Sequence, residues 1–392
     1  MRSLFQAVLL AGVMVCSVPL AAQQAHTCSD FSIVIGSPED TLMTAVNAAS
    51  DANAKISILE KFAQEHSDST YMPCVNQLLT KNYVSLNQFD QASAAGQKSV
   101  AANYLDVSFL ENLLRAYMGS GKVGNAPFDL IMKAAPQIKA ETQVSRSVGE
   151  SDAQYEAAKK SAMQQAKNDT NYMVYAFFRL LPQLTDLNQK IKLLDQFTQA
   201  YPNVAKEQAG RVNYGYALAY AQANQPQKAD EYGEKAIAAD PNHIDALNFV
   251  AYDYAVRLHV NQAKAEEYAQ KVLTILPTIK KPAGVSDEAF KAQQDTQEGM
   301  ARLTLGYIEM AKTSRSHKTG PAIKEFQQAA DLLKANPELQ GQAYYFLGYA
   351  YENLYPANHH GAMTALEHAA GIHCSVQSQA RELLEKVRRA AR

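Results

Sequence analysis

Histidine and cysteine are the residues of this sequence best able to bind a metal ion, and they concentrate near its C-terminal end. His359, His360, His368, His373 and Cys374 all fall within a short segment. Imidazole nitrogens and thiolates are the usual ligands of zinc and similar cations. Their spacing here matches neither a CxxC nor an HExxH zinc pattern. We therefore predict no metal site, and we keep as the alternative a hydrolase or metal-handling protein that uses this His-rich segment.

The segment GSGKVG, residues 119–124, has the glycines and the lysine of a phosphate-binding loop. A Walker motif would need Gly at position 116 and Ser or Thr after the lysine, where this sequence has Ala116 and Val123. The segment also lies between two predicted helices with no strand before it, so we predict an inter-helix turn.

Other catalytic patterns are missing from the sequence. There is no GxSxG segment and no CxxCH segment. Acidic pairs such as Glu266 and Glu267 fall in the first turns of predicted helices, where the helix dipole favours negative charge. We therefore predict a protein that is not an enzyme and that binds no cofactor.

The charge of the chain is nearly balanced. It has 37 basic and 39 acidic residues, for a net charge of −2, and both signs are scattered along the sequence. A nucleic-acid-binding protein usually carries a basic patch or stripe. We therefore predict no nucleic-acid partner.

The N-terminal segment has the layout of a secretory signal peptide, predicted over residues 1–22. Arg2 precedes an apolar run over 4–18, and small residues suited to cleavage follow. An uncleaved membrane anchor is the alternative, because the run is only just long enough to span a bilayer. Lipidation of Cys16 is disfavoured, because the residue before it is larger than lipoprotein signals require. No other stretch approaches membrane length, so we expect an exported mature chain without a transmembrane segment.

Three cysteines follow the predicted signal peptide: Cys28, Cys74 and Cys374. In an oxidising compartment Cys28 and Cys74 could form a disulfide that joins the leader, residues 23–36, to the first repeats. Three unpaired thiols are the alternative, and the sequence alone does not decide between the two.

Apolar residues recur at helical spacing along nearly all of the remaining chain, as at Ile56, Leu59 and Phe62. Short breaks that contain Pro, Gly, Asn or Asp separate these stripes. The sequence therefore predicts an all-α chain. We divide it into degenerate helical repeats over 37–204, a regular repeat array over 205–374 and a capping helix over 375–392.

One 14-residue segment occurs twice, as KADEYGEKAIAADP from Lys228 and as KAEEYAQKVLTILP from Lys264. In the first copy Ala229, Tyr232 and Ala236 fall on one helix face, and the small alanines allow a neighbouring helix to approach closely. One helix pair cannot bury both of its faces, so we expect copies to stack on each other.

The order of small and aromatic residues resembles the tetratricopeptide repeat (TPR), as found in exported bacterial proteins. Four copies in series carry the resemblance, at Ala217, Tyr220, Ala229, Ala236 and Pro241, at Leu247, Val250, Ala251, Tyr254, Ala265, Tyr268 and Pro277, at Leu305, Gly306, Ala322, Phe326 and Ala329, and at Leu347, Gly348, Tyr351, Ala362, Leu366 and Ala369. The usual tryptophan is absent, and three of the copies have longer turns. The resemblance implies a right-handed superhelical solenoid of antiparallel helix pairs.

In TPR arrays one side of each first helix lines a concave groove that receives peptides. Alignment with the family places eight residues of this sequence there: Tyr214, Asn248, Tyr252, Tyr307, Met310, Tyr345, Tyr349 and Asn353. A neutral aromatic groove suits an extended peptide or a helix of a protein partner. The resemblance thus implies a protein-interaction scaffold of the bacterial periplasm or cell envelope. The alternative is that several of these tyrosines pack between repeats.

Overall fold

A computed structural model describes residues 25–282 and 284–391 of the chain. The predicted signal peptide, residues 1–22, lies outside these described residues. The described part contains 18 α-helices and no strand, and the helices pack on their neighbours along the sequence. The predicted all-α fold class is therefore confirmed for this part of the chain.

The helices have the following bounds: α1 (Pro38–Ala48), α2 (Ala52–Glu65), α3 (Met72–Ser85), α4 (Phe89–Ala101), α5 (Val107–Ser120), α6 (Ala126–Glu141), α7 (Asp152–Leu180), α8 (Leu187–Ala200), α9 (Pro202–Glu207), α10 (Ala209–Gln222), α11 (Pro226–Ala239), α12 (Ile244–Tyr252), α13 (Gln262–Ile275), α14 (Asp287–Thr313), α15 (Gly320–Leu332), α16 (Pro337–Glu352), α17 (His359–Gly371) and α18 (Gln377–Ala390). A π-helical segment, Asp253–Arg257, continues α12 and is called the π segment below.

The described helices form two compact units, one of α1 to α7 and one of α8 to α18, divided between residues 180 and 181. The division falls inside the stretch 37–204 that the sequence analysis assigns to degenerate repeats. Helices α8 and α9 therefore belong to the same unit as the four regular copies. Among the described residues, no helix combines the length and the apolar character needed to cross a membrane.

Short polar side chains mark where several helices begin. Ser37 Oγ accepts a hydrogen bond from the Asp40 N–H at 3.2 Å, and Asp51 Oδ1 accepts one from the Ala54 N–H at 2.9 Å. The same contact with the N–H three residues ahead occurs at Asp186, Ser286, Asn336 and Asn358. Each cap satisfies a first-turn N–H that has no partner within its own helix.

The leader of the first unit is joined covalently to α3. Cys28 and Cys74 form a disulfide with 5.6 Å between their Cα atoms, so the paired alternative of the sequence analysis is the correct one. The Asp106 carboxylate reinforces this attachment, because its Oδ1 accepts from the Cys28 N–H at 3.0 Å and its Oδ2 accepts from Gln77 Nε2 at 2.6 Å.

Aliphatic and aromatic side chains fill the rest of the first unit. Leu59 and Val75 are fully buried in a core that α1 to α5 share. Phe128 of α6 and Phe177 of α7 are also fully buried, and their rings meet edge to face with centroids 5.7 Å apart. Helices α5, α6 and α7 therefore pack on one another through large apolar side chains.

The four predicted copies of the repeat coincide with successive helix pairs of the second unit. The pairs are α10 with α11, α12 with α13, α14 with α15, and α16 with α17. The aligned alanines have no exposed surface, namely Ala217, Ala229, Ala236, Ala251, Ala265, Ala322, Ala329, Ala362 and Ala369. The prediction that small residues bring the helices close together is therefore confirmed.

Two glycines occupy equivalent places in the third and fourth pairs. A Cβ atom added to Gly306 would lie 2.6 Å from Phe326 Cδ1, and one added to Gly348 would lie 2.5 Å from Leu366 Cγ. No side chain fits at either position without displacing its neighbour. The two glycines thus set the distance of closest approach between the helices of each pair.

Helix α18 covers the last helix pair. It buries Ala380, Leu384 and Val387 in a cluster with α17 and leaves its opposite face polar. At the edge of the buried face Arg388 pairs with Glu367 of α17, with 3.0 Å between Nη2 and Oε1. This arrangement is what a helix that ends a stack of repeats requires.

Candidate functional site

Helices α14 and α16 line an open cavity of about 410 Å³ on the surface of the second unit. Seven residues line it: Tyr307, Met310, Ala311, Ser314, Tyr345, Phe346 and Tyr349. We call it the aromatic cavity. Tyr307, Met310, Ala311 and Ser314 follow one another at spacings of three, one and three residues, which places them on one side of α14 and of the turn that continues it. None of the seven side chains carries a charge.

Phe346 attaches the wall of the cavity to the core of the unit. Its ring meets Tyr307 edge to face at 5.4 Å and Tyr345 at 5.3 Å, and it stacks on the fully buried Phe326 at 5.7 Å. Aromatic side chains held on several sides have few rotamers left to lose on binding. The aromatic wall of the cavity is therefore packed against the core of the unit.

Burial keeps two tyrosine hydroxyls of the cavity, those of Tyr307 and Tyr345, protonated at physiological pH. Burial, and then the neighbouring Tyr349, raises the pKa of Tyr307. Burial, then Tyr349 and Glu382, raises the pKa of Tyr345. Tyr349 itself is 42% exposed and is the most accessible ring of the lining. The cavity thus offers apolar ring faces with neutral hydroxyl groups at their edges.

His259 supports the cavity from the turn that follows the π segment. Its ring stacks on Tyr307 with centroids 5.7 Å apart and 13° between the planes, and its Nδ1 lies 3.2 Å from the Tyr307 hydroxyl oxygen. His259 has a φ of +57°, in the left-handed region where histidine, like asparagine and aspartate, is enriched among residues other than glycine. His259, in the turn of the second helix pair, therefore holds the Tyr307 ring of the third helix pair in place.

Half of the predicted groove residues meet at this cavity: Tyr307, Met310, Tyr345 and Tyr349. The other four have different surroundings. Asn248 is 1% exposed, and its Nδ2 donates to the Gln297 carbonyl oxygen at 3.0 Å and to Gln297 Oε1 at 2.6 Å. It joins α12 to α14 and presents no surface to a partner.

Tyr252 and Tyr214 also pack inside the unit. The Tyr252 hydroxyl donates to Gln342 Oε1 at 2.5 Å, and burial raises the pKa of Tyr252 to about 12. The Tyr214 ring lies 5.1 Å from the ring of His243 and 6.2 Å from that of Phe249. The alternative that some groove tyrosines pack between repeats thus describes these two.

Asn353 ends α16 next to the cavity. Its side-chain Nδ2 donates to the Tyr349 carbonyl oxygen at 2.9 Å, and its backbone N–H donates to the same oxygen at 3.1 Å. Asn353 therefore holds the last turn of the helix that carries Tyr345 and Tyr349, and it does not line the cavity.

Sequence reasoning missed Phe346, Ala311 and Ser314. Alignment with the TPR family selected Tyr345 and Tyr349, which are four residues apart, and passed over the phenylalanine between them. Ala311 and Ser314 are small and leave open space in the cavity, so their chemistry gives no signal. Their spacing of four and seven residues from Tyr307 is the feature that would have identified them.

The histidines of the C-terminal segment have separate surroundings. His359 Nδ1 lies 2.9 Å from Glu352 Oε2, and His368 stacks on Tyr344 at 4.8 Å. Cys374 is a free thiol beside Gly341. Within 25–282 and 284–391, no group of three or more His, Cys, Asp or Glu side chains is arranged to hold a metal ion.

The glycine-rich segment 119–124 joins α5 to α6, as predicted for an inter-helix turn. Gly121 ends α5 with a φ of +66°, and Lys122 Nζ lies 2.7 Å from Asp90 Oδ1. The lysine of the segment thus pairs with a carboxylate of α4.

Comparison of the sequence with known protein families and with curated proteins finds no match.

Proposed function

We propose that this protein is a non-enzymatic scaffold that binds a segment of a partner protein in the aromatic cavity. The observation that carries the proposal is the meeting of Tyr307, Met310, Tyr345 and Tyr349 around one open cavity. Tyrosine combines a broad apolar face with a hydroxyl and loses little rotamer freedom, which is why it recurs where proteins bind proteins.

The chemistry of the cavity favours a neutral, apolar stretch of the partner. A charged side chain entering a cavity without an opposite charge would lose hydration and gain no ion pair. Proline or aliphatic side chains would instead cover the ring faces, and backbone carbonyl groups of an extended segment could accept from the tyrosine hydroxyls. We expect an extended segment that places two or three apolar side chains in about 410 Å³.

We propose further that the second unit is a TPR-like array, a right-handed superhelical solenoid of antiparallel helix pairs. The support is the match between the four aligned copies and four successive helix pairs. The equivalent close approaches at Gly306 and Gly348 support the same alignment. Side chains that protrude from corresponding faces of successive first helices would then line one continuous surface.

Export to the periplasm or cell envelope is part of the same proposal. It rests on the signal-peptide pattern of residues 1–22. The disulfide between Cys28 and Cys74 supports it, because such bonds persist mainly in oxidising compartments.

Site-specific photo-crosslinking tests the binding proposal in cells. A photoreactive phenylalanine analogue replaces Tyr349 in the cavity or, as the control, Tyr175, a tyrosine of α7 that is 48% exposed. We expect a discrete crosslinked protein from position 349 that is absent from position 175. Tyr307→Ala in the same chain should remove that product. Identical products from both positions would contradict binding in the cavity.

A further inference from the structure

A pair of buried aspartates connects the first and second helix pairs of the array. Asp230 lies on α11 and is 8% exposed, and Asp253 begins the π segment and is 1% exposed. The two carboxyl groups lie close enough for the charge of Asp253 to act on Asp230. Two ionised carboxylates this close repel each other and cannot hydrogen-bond, because each oxygen is only an acceptor.

One oxygen of each carboxyl group has no donor. No N–H or O–H group of the described chain donates to Asp230 Oδ1 or to Asp253 Oδ2. The remaining side of Asp253 is satisfied, because its Oδ1 lies 2.6 Å from Arg257 Nη1. One cation therefore faces two buried carboxyl groups, and a proton between them would both balance the charge and supply the missing donor.

Glu234, one turn further along α11, shows how many donors a carboxyl group receives in the same region. Its Oε1 accepts from the Tyr254 hydroxyl at 2.9 Å and pairs with Lys264 Nζ at 2.7 Å, and its Oε2 accepts from the Tyr268 hydroxyl at 2.8 Å. Glu234 thus has three donors from the π segment and α13. The contrast with Asp230 identifies the aspartate pair as the place where a proton is needed.

We propose that Asp230 and Asp253 share one proton, and that this proton makes the contact between α11 and the π segment sensitive to pH. Burial, and then the charge of Asp253, raises the pKa of Asp230 to about 7, while Arg257 opposes the shift. Burial also raises the pKa of Asp253.

The other ionisable groups near the pair come from each neighbouring element. Glu234 of α11 adds negative charge, and Lys264 of α13 pairs with it. Tyr252 of α12 and Tyr254 of the π segment are phenols with raised pKa, mainly through burial. Two further phenols, Tyr216 and Tyr220 of α10, stack on Tyr232 of α11. On the other side, Tyr307 of α14 stacks on His259 in the turn after the π segment. Arg257 is the cation that directly contacts the pair.

The direction of the pH effect follows from the two pKa values. An aspartate of the unfolded chain releases its proton near pH 3.8, whereas folded Asp230 keeps it up to about pH 7. The folded protein therefore binds one more proton between these values, so its stability falls as the pH rises. The contribution is complete below about pH 4 and lost above about pH 7, and one proton changes the unfolding equilibrium constant by up to tenfold per pH unit.

The π segment connects this contact to the aromatic cavity. Tyr252, directly before the segment, donates to Gln342 of α16, and His259, just after it, stacks on Tyr307. A change at the aspartate pair would therefore reach both walls of the cavity. This consequence for binding rests on the proposed function, whereas the shared proton does not.

Hydrogen–deuterium exchange of the full mature chain tests the shared proton without a ligand. In Asp230→Asn the amide can still donate to Asp253 but cannot titrate. We expect the protection of peptides within 226–257, relative to this variant at the same pH, to fall by up to tenfold per pH unit between about pH 5 and pH 7. Glu231→Gln, on the exposed face of α11, is the matched control and should keep a constant ratio to the wild type.

A ratio between wild type and Asp230→Asn that does not change with pH would overturn the proposal. Asp253→Asn provides a second test if Asp230→Asn fails to fold, because either amide removes the shared proton. This variant should also lose the pH dependence of exchange within 226–257. An Asp253→Asn protein that keeps the wild-type pH dependence would likewise contradict a shared proton, and neither result would bear on partner binding.

Discussion

Replacing Gly348 by alanine should destabilise the fourth helix pair of the array. The added Cβ would lie 2.5 Å from Leu366 Cγ, 2.8 Å from Leu366 Cδ2 and 3.2 Å from the Ala362 carbonyl oxygen. The first two distances are shorter than carbon atoms tolerate, and the third involves backbone that cannot rotate away. Leu366 is fully buried, so its side chain has no free space to move into.

The size of the effect follows from two opposing terms. Overpacking a well-packed core costs about 1–3 kcal/mol, and contact on two sides favours the upper end of that range. Alanine regains about 1 kcal/mol over glycine inside a helix. The net loss is about 2 kcal/mol, which in a unit of this size lowers the melting temperature by about 4–8 °C.

Thermal unfolding followed by far-ultraviolet circular dichroism measures this loss. Gly371→Ala is the matched control, because Gly371 ends α17 and no heavy atom lies within 4 Å of its added Cβ. The control should melt at or slightly above the wild-type temperature. Gly306→Ala should behave like Gly348→Ala if the third and fourth pairs are equivalent. A Gly348→Ala protein as stable as the control would refute the close approach of α16 and α17.

Three further substitutions test other contacts. Replacing Cys28 and Cys74 by serine should lower the free energy of unfolding of the first unit by about 2–4 kcal/mol, measured in denaturant, and an unchanged value would contradict a stabilising disulfide. Tyr252→Phe removes the hydrogen bond to Gln342 and should cost about 1 kcal/mol in a thermal melt, whereas a neutral result would mean that this contact adds nothing to stability. Ala236→Leu should overpack the contact between α11 and its neighbours by about 1–3 kcal/mol, and full retention of stability would show that the repeat alignment is misplaced there.

The helix pairs could be predicted because their contacts are local in sequence. Gly348 contacts Leu366, and Gly306 contacts Phe326. In both cases the contacted residue lies in the next helix along the chain. Residues this close in sequence repeat with the period of the array, so one aligned copy predicts the next. For this reason the all-α class and the positions of the small residues could be predicted from the sequence.

The cavity could be predicted only in part, because its shape depends on contacts between residues far apart in sequence. Asn248 reaches Gln297, and Tyr252 reaches Gln342 across 90 positions. His259, in the longer turn of the second copy, stacks on Tyr307 of the third. Periodicity identifies the residues on a helix face, but these irregular contacts decide which of them stay accessible.

The disulfide and the aspartate pair show the same limit. Spacing alone left open whether Cys28 pairs with Cys74, because their distance depends on how the leader meets α3. Asp230 and Asp253 each look like ordinary surface residues of a helix. Only the packing of the π segment on α11 brings their carboxyl groups together and excludes water from them.

The affinity of the crosslinked partner segment for the cavity tests the central proposal most directly. A synthetic peptide with the sequence of the segment captured at position 349 is titrated into wild-type protein, Tyr349→Ala and Tyr175→Ala. We expect Tyr349→Ala to weaken binding by about 30-fold, the equivalent of about 2 kcal/mol for a tyrosine at a binding hot spot, and Tyr175→Ala to bind like the wild type. Equal affinities for all three proteins, each with the wild-type melting temperature, would contradict binding in the aromatic cavity.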